Sequence, residues 1–304
     1  MISFRYHLVS LVAVFLALAL GIVVGTTALS GPITRDLRSQ LDNAKKQRDT
    51  LAAQTKSLQG QVDDAGQFAS TYGAQLVAGS LTKKNVLVIS LPGATSGMRA
   101  GIDRELAASG AKVTGRVTIT KNYIEPRLGS GINSLATGPS HPIGLTLPET
   151  SDAGQLGAAL LSYVLLGKGQ RTDLTQVLGG LSALHMVTVE TGSVAPADLV
   201  VLLARGTMAA KGYASTAEVD LAGALAKSGG HVVVAGNPDA AKGGGVVAAV
   251  RSATARNSVS TVDDADGALG QVSAVLALAG AAKGQTGHYG TQAGADALFP
   301  APPK

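Results

Sequence analysis

Histidines and glycine-rich turns are the features of this sequence that could do chemistry. The five histidines are far apart along the chain. Two of them, His185 and His231, each begin an apolar run that predicts a strand, so the fold could bring them together. Histidines at strand ends are more often structural than metal-binding, and no H-E-x-x-H motif accompanies these two. The other three are His7, His141 and His288.

Soft metal ligands are scarce. The sequence has no cysteine, which excludes disulfides, thiolate metal sites, cysteine nucleophiles and iron–sulfur clusters. Met98, Met186 and Met208 are too far apart to form a Met-x-x-Met cluster. Copper(I) prefers sulfur ligands. A copper site would therefore have to be built without a recognisable motif, and the residues themselves predict no cofactor.

Two glycine-rich turns follow predicted strands. Residues 91–97 read Leu-Pro-Gly-Ala-Thr-Ser-Gly, and residues 235–245 are similarly placed. Doubly wound sheets bind phosphate at such turns, through backbone amides at a helix N-terminus. Neither turn matches G-x-G-x-x-G, no acidic residue closes a second strand to hold a ribose, and the chain has no Walker A or G-x-S-x-G motif. We therefore expect structural turns, no catalytic residues and no enzyme activity.

Short apolar runs alternate with stretches of helical spacing over residues 83–283. This alternation predicts an α/β domain, in which a mostly parallel sheet is covered by helices on both faces. We expect one Rossmann-like, doubly wound domain. Residues 121–150 are predicted to be loop, and the Gly/Pro-rich tail 284–304 is predicted to wrap the surface or stay mobile. The predicted strands are 85–90, 112–120, 185–190, 198–203, 231–235 and 258–262, and the predicted helices are 97–109, 152–166, 172–182, 215–228, 240–252 and 266–281.

The N-terminal segment predicts a membrane anchor. Residues 8–29 carry no charge, and as a helix rising about 1.5 Å per residue they can cross a hydrocarbon core of about 30 Å. A cleaved signal peptide is the alternative, because residues 28–30 resemble a cleavage site, although its apolar region is usually shorter. Arg5 and the free amine place residues 1–7 in the cytoplasm and the remainder of the chain outside the membrane.

A heptad pattern follows over residues 31–80, after Pro32, which is expected to break the chain near the membrane surface. The seam positions are alternately four and three residues apart, and this spacing predicts a coiled coil. Its partner is a second copy of the chain or another coiled-coil protein. A long amphipathic helix packed on its own domain is the alternative. The expected partner-binding seam comprises Leu37, Leu41, Ala44, Arg48, Leu51, Thr55, Leu58 and Val62, and continues through Ala65, Ala69, Tyr72 and Leu76.

The eight seam residues from Leu37 to Val62 are called the heptad stripe below. Arg48 and Thr55 are the polar members of the stripe. Polar residues at seam positions weaken a tight homodimer and can set the register or the choice of partner. A weak, exchangeable seam is what a partner-recruiting coiled coil would have.

Composition excludes several classes of partner. The chain has 304 residues and a net charge of +5, and its basic residues are too scattered to predict nucleic-acid binding. A hydrophobic share of 45% excludes a mostly disordered chain. Aromatic residues make up 3% and are scattered, so no stacking platform for single-stranded nucleic acid or glycans is predicted, and the core must be aliphatic.

The opening and the tail of the sequence resemble those of a known family. Residues 4–25, which begin Phe-Arg-Tyr-His-Leu-Val-Ser, are similar to the start of the actinobacterial MctB family of copper transport proteins. The tail from His288 to Asp296 fits the layout of the same family. The resemblance implies copper efflux with a proposed outer-membrane channel. It also implies cell separation, as a membrane-anchored partner of a peptidoglycan-hydrolase system. No site residues transfer, because no metal motif is matched.

The physical pattern favours a scaffold over a channel. A transmembrane barrel needs segments of about ten residues that alternate apolar and polar, whereas these strands are short, continuously apolar and separated by helices. We therefore expect a non-catalytic, single-pass protein of the cell membrane that recruits partners through its coiled coil, in cell separation or peptidoglycan-hydrolase regulation. Copper efflux, with an outer-membrane location, is the alternative that the resemblance implies.

Overall fold

The computed structural model describes residues 4–139, 141–190, 194–206 and 213–301. For residues 4–5, 26–35 and 213–215 it describes the backbone alone. The chain divides into two compact units, residues 1–64 and residues 65–304.

The described residues contain eight α-helices and seven strands. A 3-10 helix precedes α3, and two more flank α7. The helices are α1 (Phe4–Val77), α2 (Ser96–Ala108), α3 (Gly129–Thr137), α4 (Ala153–Leu165), α5 (Arg171–Ala183), α6 (Tyr213–Lys227), α7 (Val246–Ser252) and α8 (Ala268–Ala281). The strands are β1 (Asn85–Ser90), β2 (Lys112–Ile119), β3 (Val187–Val189), β4 (Leu199–Ala204), β5 (His231–Gly236), β6 (Val259–Val262) and β7 (His288–Tyr289).

Helix α1 runs without interruption from Phe4 to Val77, so the break expected at Pro32 is wrong. A proline inside a helix removes one backbone hydrogen bond and tends to kink or break the helix. Good helix formers lie further out on both sides: Leu and Ala are common in residues 8–20, and Leu, Ala, Gln and Lys are common in residues 37–59. The helix therefore continues across the proline.

The first part of α1 is long and apolar enough to cross a membrane. The stretch Tyr6–Gly25 has a mean hydropathy of 2.8, and none of it is buried. It overlaps the span predicted over residues 8–29. Its large apolar side chains are each more than half exposed, as expected for groups whose surroundings are hydrocarbon.

The seven strands form one sheet in the order β3-β2-β1-β4-β5-β6-β7. All neighbouring strands are parallel except β2 and β3, which are antiparallel. The prediction of a mixed α/β domain with a mostly parallel sheet is confirmed. From β1 the chain continues to β2 on one side of the sheet, and from β4 it continues to β5 on the other side. The loops that leave these two neighbouring strands therefore turn away from each other at the carboxyl edge of the sheet.

Both faces of the sheet are buried at its centre, which explains why β1, β4 and β5 are almost continuously apolar. In β1, Leu87 and Ile89 join a core with helices α3 to α7, whereas Val86 and Val88 join a second core with α2, α8 and the end of α1. Every residue of β4 is buried. Strands with one solvent-facing side would alternate with polar residues instead.

Three segments differ from their sequence predictions. The loop predicted over 121–150 contains α3, which forms because Ile132 and Ala136 are buried four residues apart. The helix predicted over 240–252 is limited to α7, since Gly244 has a positive φ of 92° just before it. The tail contributes β7, which pairs with β6 at the sheet edge.

The last turns of α1 pack on the α/β domain. Ala69 and Val77 are almost completely buried, and Gly73 lies between them on the same face. A Cβ at Gly73 would lie 2.6 Å from Cγ2 of Val272 in α8, so glycine permits this close approach. Packing on the chain's own domain therefore applies to this end of the helix, including the seam residue Ala69.

We predict that Gly73→Val destabilises the domain and that Gly60→Val does not. A Cβ at Gly60 would meet no atom within 4 Å, which makes it a matched control in the same helix. Overpacking typically costs about 1–3 kcal/mol. The midpoint of thermal unfolding of the full-length protein in detergent should fall for Gly73→Val and stay near wild type for Gly60→Val. Equal midpoints for the two variants would contradict the packing of this helix end on α8.

Candidate functional site

The histidine pair that the sequence suggested is not formed. His231 begins β5, at the amino edge of the parallel strands. His185 precedes β3, which is antiparallel to β2, and Val187 pairs with Ile119 at the carboxyl end of β2. The two histidines therefore lie at opposite edges of the sheet, with three strands between β3 and β5. The suggestion that they approach each other is wrong, because the sequence did not indicate the direction of β3.

Two other histidines have protein oxygen atoms close to both ring nitrogens. Nδ1 of His141 lies 2.8 Å from the carbonyl oxygen of Ala136, and its Nε2 lies 3.1 Å from that of Leu145. Nδ1 of His288 lies 2.9 Å from Oγ1 of Thr261, and its Nε2 lies 3.1 Å from a backbone carbonyl oxygen. Burial lowers the pKa of His288. Neither ring offers a nitrogen to a metal ion without breaking one of these contacts.

The sulfur atoms are dispersed through the structure. Met98 lies in the core that includes α2 and α8, and Met186 lies in the core on the other side of the sheet. Met208 lies outside the described residues. Within the described part of the chain, no group of three or more His, Asp or Glu side chains could hold a metal ion. Copper therefore finds no preassembled ligand set among these residues.

The turn over residues 91–97 uses its polar groups internally. Thr95 caps α2, and its Oγ1 accepts a hydrogen bond of 3.2 Å from the backbone N–H of Met98. Gly93 lies close to the loop that leaves β4. A Cβ at Gly93 would lie 3.1 Å from the carbonyl oxygen of Arg205 in that loop. The residues that follow in that loop, 207–212, lie outside the described residues. The described part of this turn has the geometry of a structural turn.

The turn over residues 235–245 is also held by its own side chain. Asn237 is buried, and its Oδ1 accepts hydrogen bonds from the backbone N–H groups of Gly206 and Ala240, at 2.8 Å and 3.2 Å. The side chain thereby ties the loop after β4 to the loop after β5. The sequence predicted a turn after β1 and after β5, and the structure has one at both places, but the role of Asn237 was not predicted.

A buried ion pair anchors the tail. Nη1 of Arg251 donates to Oδ2 of Asp263 over 2.8 Å, and both side chains are at most 3% exposed. Asp263 also accepts from the backbone N–H groups of Thr291 and Gln292, and Arg251 donates to the carbonyl oxygen of Tyr289. Charges removed from water need such partners. The tail segment that carries the family resemblance therefore has a structural role.

A cavity of about 770 Å³ lies between α4 and α6. Its described lining is mainly small and apolar, and its charged members are Asp220 and Lys227. Burial, and then the charge of Asp152, raise the pKa of Asp220. The lining contains no histidine or methionine, so the cavity lacks the ligands that copper(I) prefers.

The heptad stripe has the properties of an interaction surface. Its five large apolar side chains are between 54% and 65% exposed. Thr55 donates from Oγ1 to the carbonyl oxygen of Leu51 over 2.8 Å, so its hydroxyl is satisfied within the helix. Arg48 pairs with Asp49 beside it. All eight residues lie on one uninterrupted helix, and the coiled coil itself remains a prediction.

Comparison with known proteins covers nearly the whole chain. A family model described as "Copper transport outer membrane protein, MctB" matches residues 1–300. The chain belongs to the MctB family. The copper transporter MctB of Mycobacterium tuberculosis (strain H37Rv) is 30% identical over 307 residues, which cover 97% of this chain and 98% of that protein. The copper transporter MctB of Mycobacterium leprae is 28% identical, covering 98% and 99%. The resemblance to the MctB family seen in the sequence is confirmed.

Two carboxyl groups with raised pKa values in this MctB-family chain were not found by sequence reasoning. Glu218, in the second turn of α6, is 3% exposed, and burial raises its pKa to about 7. Burial, and then the neighbouring Asp263, raise the pKa of Asp264 to about 6. For Glu218 the sequence signal is an acidic residue in a largely apolar helix, and many such residues are solvent-exposed.

We predict that Glu218 makes the protein less stable as the pH rises. Its pKa is higher in the folded chain than the ordinary 4.5, so its stabilising effect is complete below about pH 4.5 and is lost as the pH rises through about 7. At about 1.4 kcal/mol per pKa unit, the loss is up to about 3 kcal/mol. Glu218→Gln should flatten the dependence of unfolding free energy on pH over this range.

The control is Glu149→Gln, which changes an exposed carboxyl. Asp264 and His288 contribute equally to wild type and to both variants. A pH profile for Glu218→Gln that matches wild type would contradict the assignment.

Proposed function

We propose that this protein is a membrane-anchored adaptor of the cell envelope that recruits a helical partner through the heptad stripe. It has no catalytic role of its own. Its α/β domain is a Rossmann-like module without the dinucleotide fingerprint. The cell-separation role implied by the family resemblance fits this proposal, with a peptidoglycan-hydrolase system as the recruited machinery.

The exposed stripe is the observation that carries the proposal. An amphipathic helix in a soluble protein normally turns its apolar stripe towards a core. Here Leu37, Leu41, Leu51, Leu58 and Val62 are all more than half exposed. Burying each such side chain typically contributes about 1.5–3 kcal/mol. A partner helix that covered the stripe would gain most of that free energy.

The proposed topology has one membrane span. Residues 1–7 lie in the cytoplasm, residues 8–25 provide the apolar core of the span, and the stripe and the α/β domain lie outside the membrane. This places the stripe next to the membrane surface, where it would meet other envelope proteins.

We predict that Leu51→Asp with Leu58→Asp abolishes association through the stripe. A partner helix would bury two unpaired charges, and each costs several kcal/mol, which is orders of magnitude in affinity. Cross-linking of the full-length protein within its native membrane measures association, and thermal unfolding in detergent measures the domain. Association should disappear while the unfolding midpoint stays unchanged.

The matched control is Ala53→Asp with Ser57→Asp, which adds the same charge to exposed positions outside the stripe. This variant should associate like wild type. A lower unfolding midpoint for the stripe variant, with association intact, would mean that the stripe packs within the chain and would refute recruitment.

Copper transport is the second candidate function. It is favoured by membership of the MctB family and by the name of the mycobacterial relatives, copper transporter MctB. One membrane helix cannot line a pore by itself. Under this proposal, copper would pass through an oligomer or through a protein that the stripe recruits.

We predict that the full-length protein in detergent binds copper(I) no more tightly than scattered histidine and methionine side chains allow. The reason is the dispersed position of these ligands on both sides of the sheet. Titration against a strong copper(I) chelator should leave the metal with the chelator. Stoichiometric transfer to the protein would overturn this prediction and favour copper transport over the adaptor.

A further inference from the structure

We propose that the partner of the heptad stripe is a different protein, whose helix presents acidic side chains to the edge of the stripe. This inference rests on the proposed function, because it names the partner of the same surface. The argument comes from where the charged residues lie around α1.

The positions of a heptad, a to g, divide the helix into a seam and a surface. Here Leu37, Ala44, Leu51 and Leu58 occupy position d, and Leu41, Arg48, Thr55 and Val62 occupy position a. Positions e and g flank the seam and face the partner, whereas b, c and f point away from it. The charges at e and g therefore decide which partner is attracted.

The charges that face the partner are all positive. Arg38 and Lys45 are at position e, and Arg48 is within the seam at position a. The g positions are neutral in four successive heptads, and all the acidic residues of this segment lie at b or c. The g residues are Gln40, Gln47, Gln54 and Gln61, and the acidic residues are Asp36, Asp42, Asp49, Asp63 and Asp64.

A second copy of this chain cannot satisfy these charges. In a parallel pair of identical helices, Arg48 would face Arg48 of the other copy, and Lys45 would face a neutral glutamine. In an antiparallel pair, the e positions face each other, and they contain basic or neutral residues only. An acidic flank is absent from both arrangements, so self-association gains no opposite-charge pair.

The basic side chains are available to a partner. Arg48 pairs with Asp49 over 2.7 Å, but both side chains are at least 66% exposed, and so exposed an ion pair contributes little. Arg38 and Lys45 take part in none of the ion pairs between described side chains, and both are exposed. Opposite charges across an interface set partner choice and association rate more than affinity.

The structure also limits where the partner can bind. Ala69 continues the seam beyond Val62, but it is 1% exposed because this part of the helix packs on the α/β domain. Tyr72 and Leu76, which also continue the seam, are about half exposed. The full width of the seam is therefore available from Leu37 to Val62.

Two synthetic helical peptides test the inference. Both carry leucine at every a and d position; one has glutamate at every e and g position, and the other has lysine there. Binding of each labelled peptide to the full-length protein in nanodiscs of neutral lipid is measured by fluorescence anisotropy. The glutamate peptide should bind at least about tenfold more tightly at low salt, and the difference should shrink at high salt, where charges are screened.

Charge-reversal variants locate the effect. Arg38→Glu with Lys45→Glu should remove or reverse the preference for the glutamate peptide. Lys46→Glu with Lys56→Glu changes the net charge by the same amount at positions f and b, and should leave the preference intact. Leu51→Asp with Leu58→Asp should abolish binding of both peptides.

The outcomes separate this inference from the function on which it rests. If both peptides bind equally, and the leucine variant loses both, the stripe recruits helices but the acidic-partner inference is overturned. Tight self-association of the wild-type protein, measured by sedimentation, would likewise overturn the inference. So would a result in which the heptad stripe is covered only when the nanodiscs contain anionic lipid. If no peptide binds, and association in the native membrane does not depend on the stripe, both proposals fail.

Discussion

A parallel sheet has to bury both of its faces, and the rest of this structure depends on that constraint. One face is covered by α3 to α7, and the other by α2, α8 and the last turns of α1. The end of α1 can take part because Gly73 lets it approach Val272 closely. The chain has almost no aromatic residues, so small and branched aliphatic side chains fill both cores. The last turns of α1 are thereby a structural part of the α/β domain.

The polar groups of the α/β domain are largely used to hold the domain together. Arg251 and Asp263 satisfy each other and the backbone of the tail, and Asn237 joins two loops at the carboxyl edge of the sheet. Both ring nitrogens of His141 and of His288 lie within 3.1 Å of protein oxygen atoms. Groups engaged in this way stabilise the fold. The MctB family name and the internal chemistry of the domain are reconciled if metal movement depends on a recruited protein.

The heptad stripe carries large apolar side chains that are more than half exposed. Its apolar side chains gain free energy only when another helix covers them. In the proposed assembly, the basic residues Arg38, Lys45 and Arg48 favour an acidic partner helix, since complementary charges select between partners that bury similar apolar area. Apolar burial thus provides affinity and charge provides selection. Both would act beside the membrane anchor, in the envelope space where the proposed partners are found.

The sequence by itself determined the class of the fold, the apolar span, the family and the heptad stripe, because each rests on local composition or a short repeat. The spacing of apolar residues differs between strands and helices, and it predicted the ends of most elements to within a few residues. The direction of β3, which separates His185 from His231, depends on long-range pairing and left no local signal. The same is true of α3, of β7 and of the burial of Ala69 within the predicted seam. The raised pKa of Glu218 is likewise a product of tertiary packing, since a carboxyl group loses its water only when the helices around it assemble.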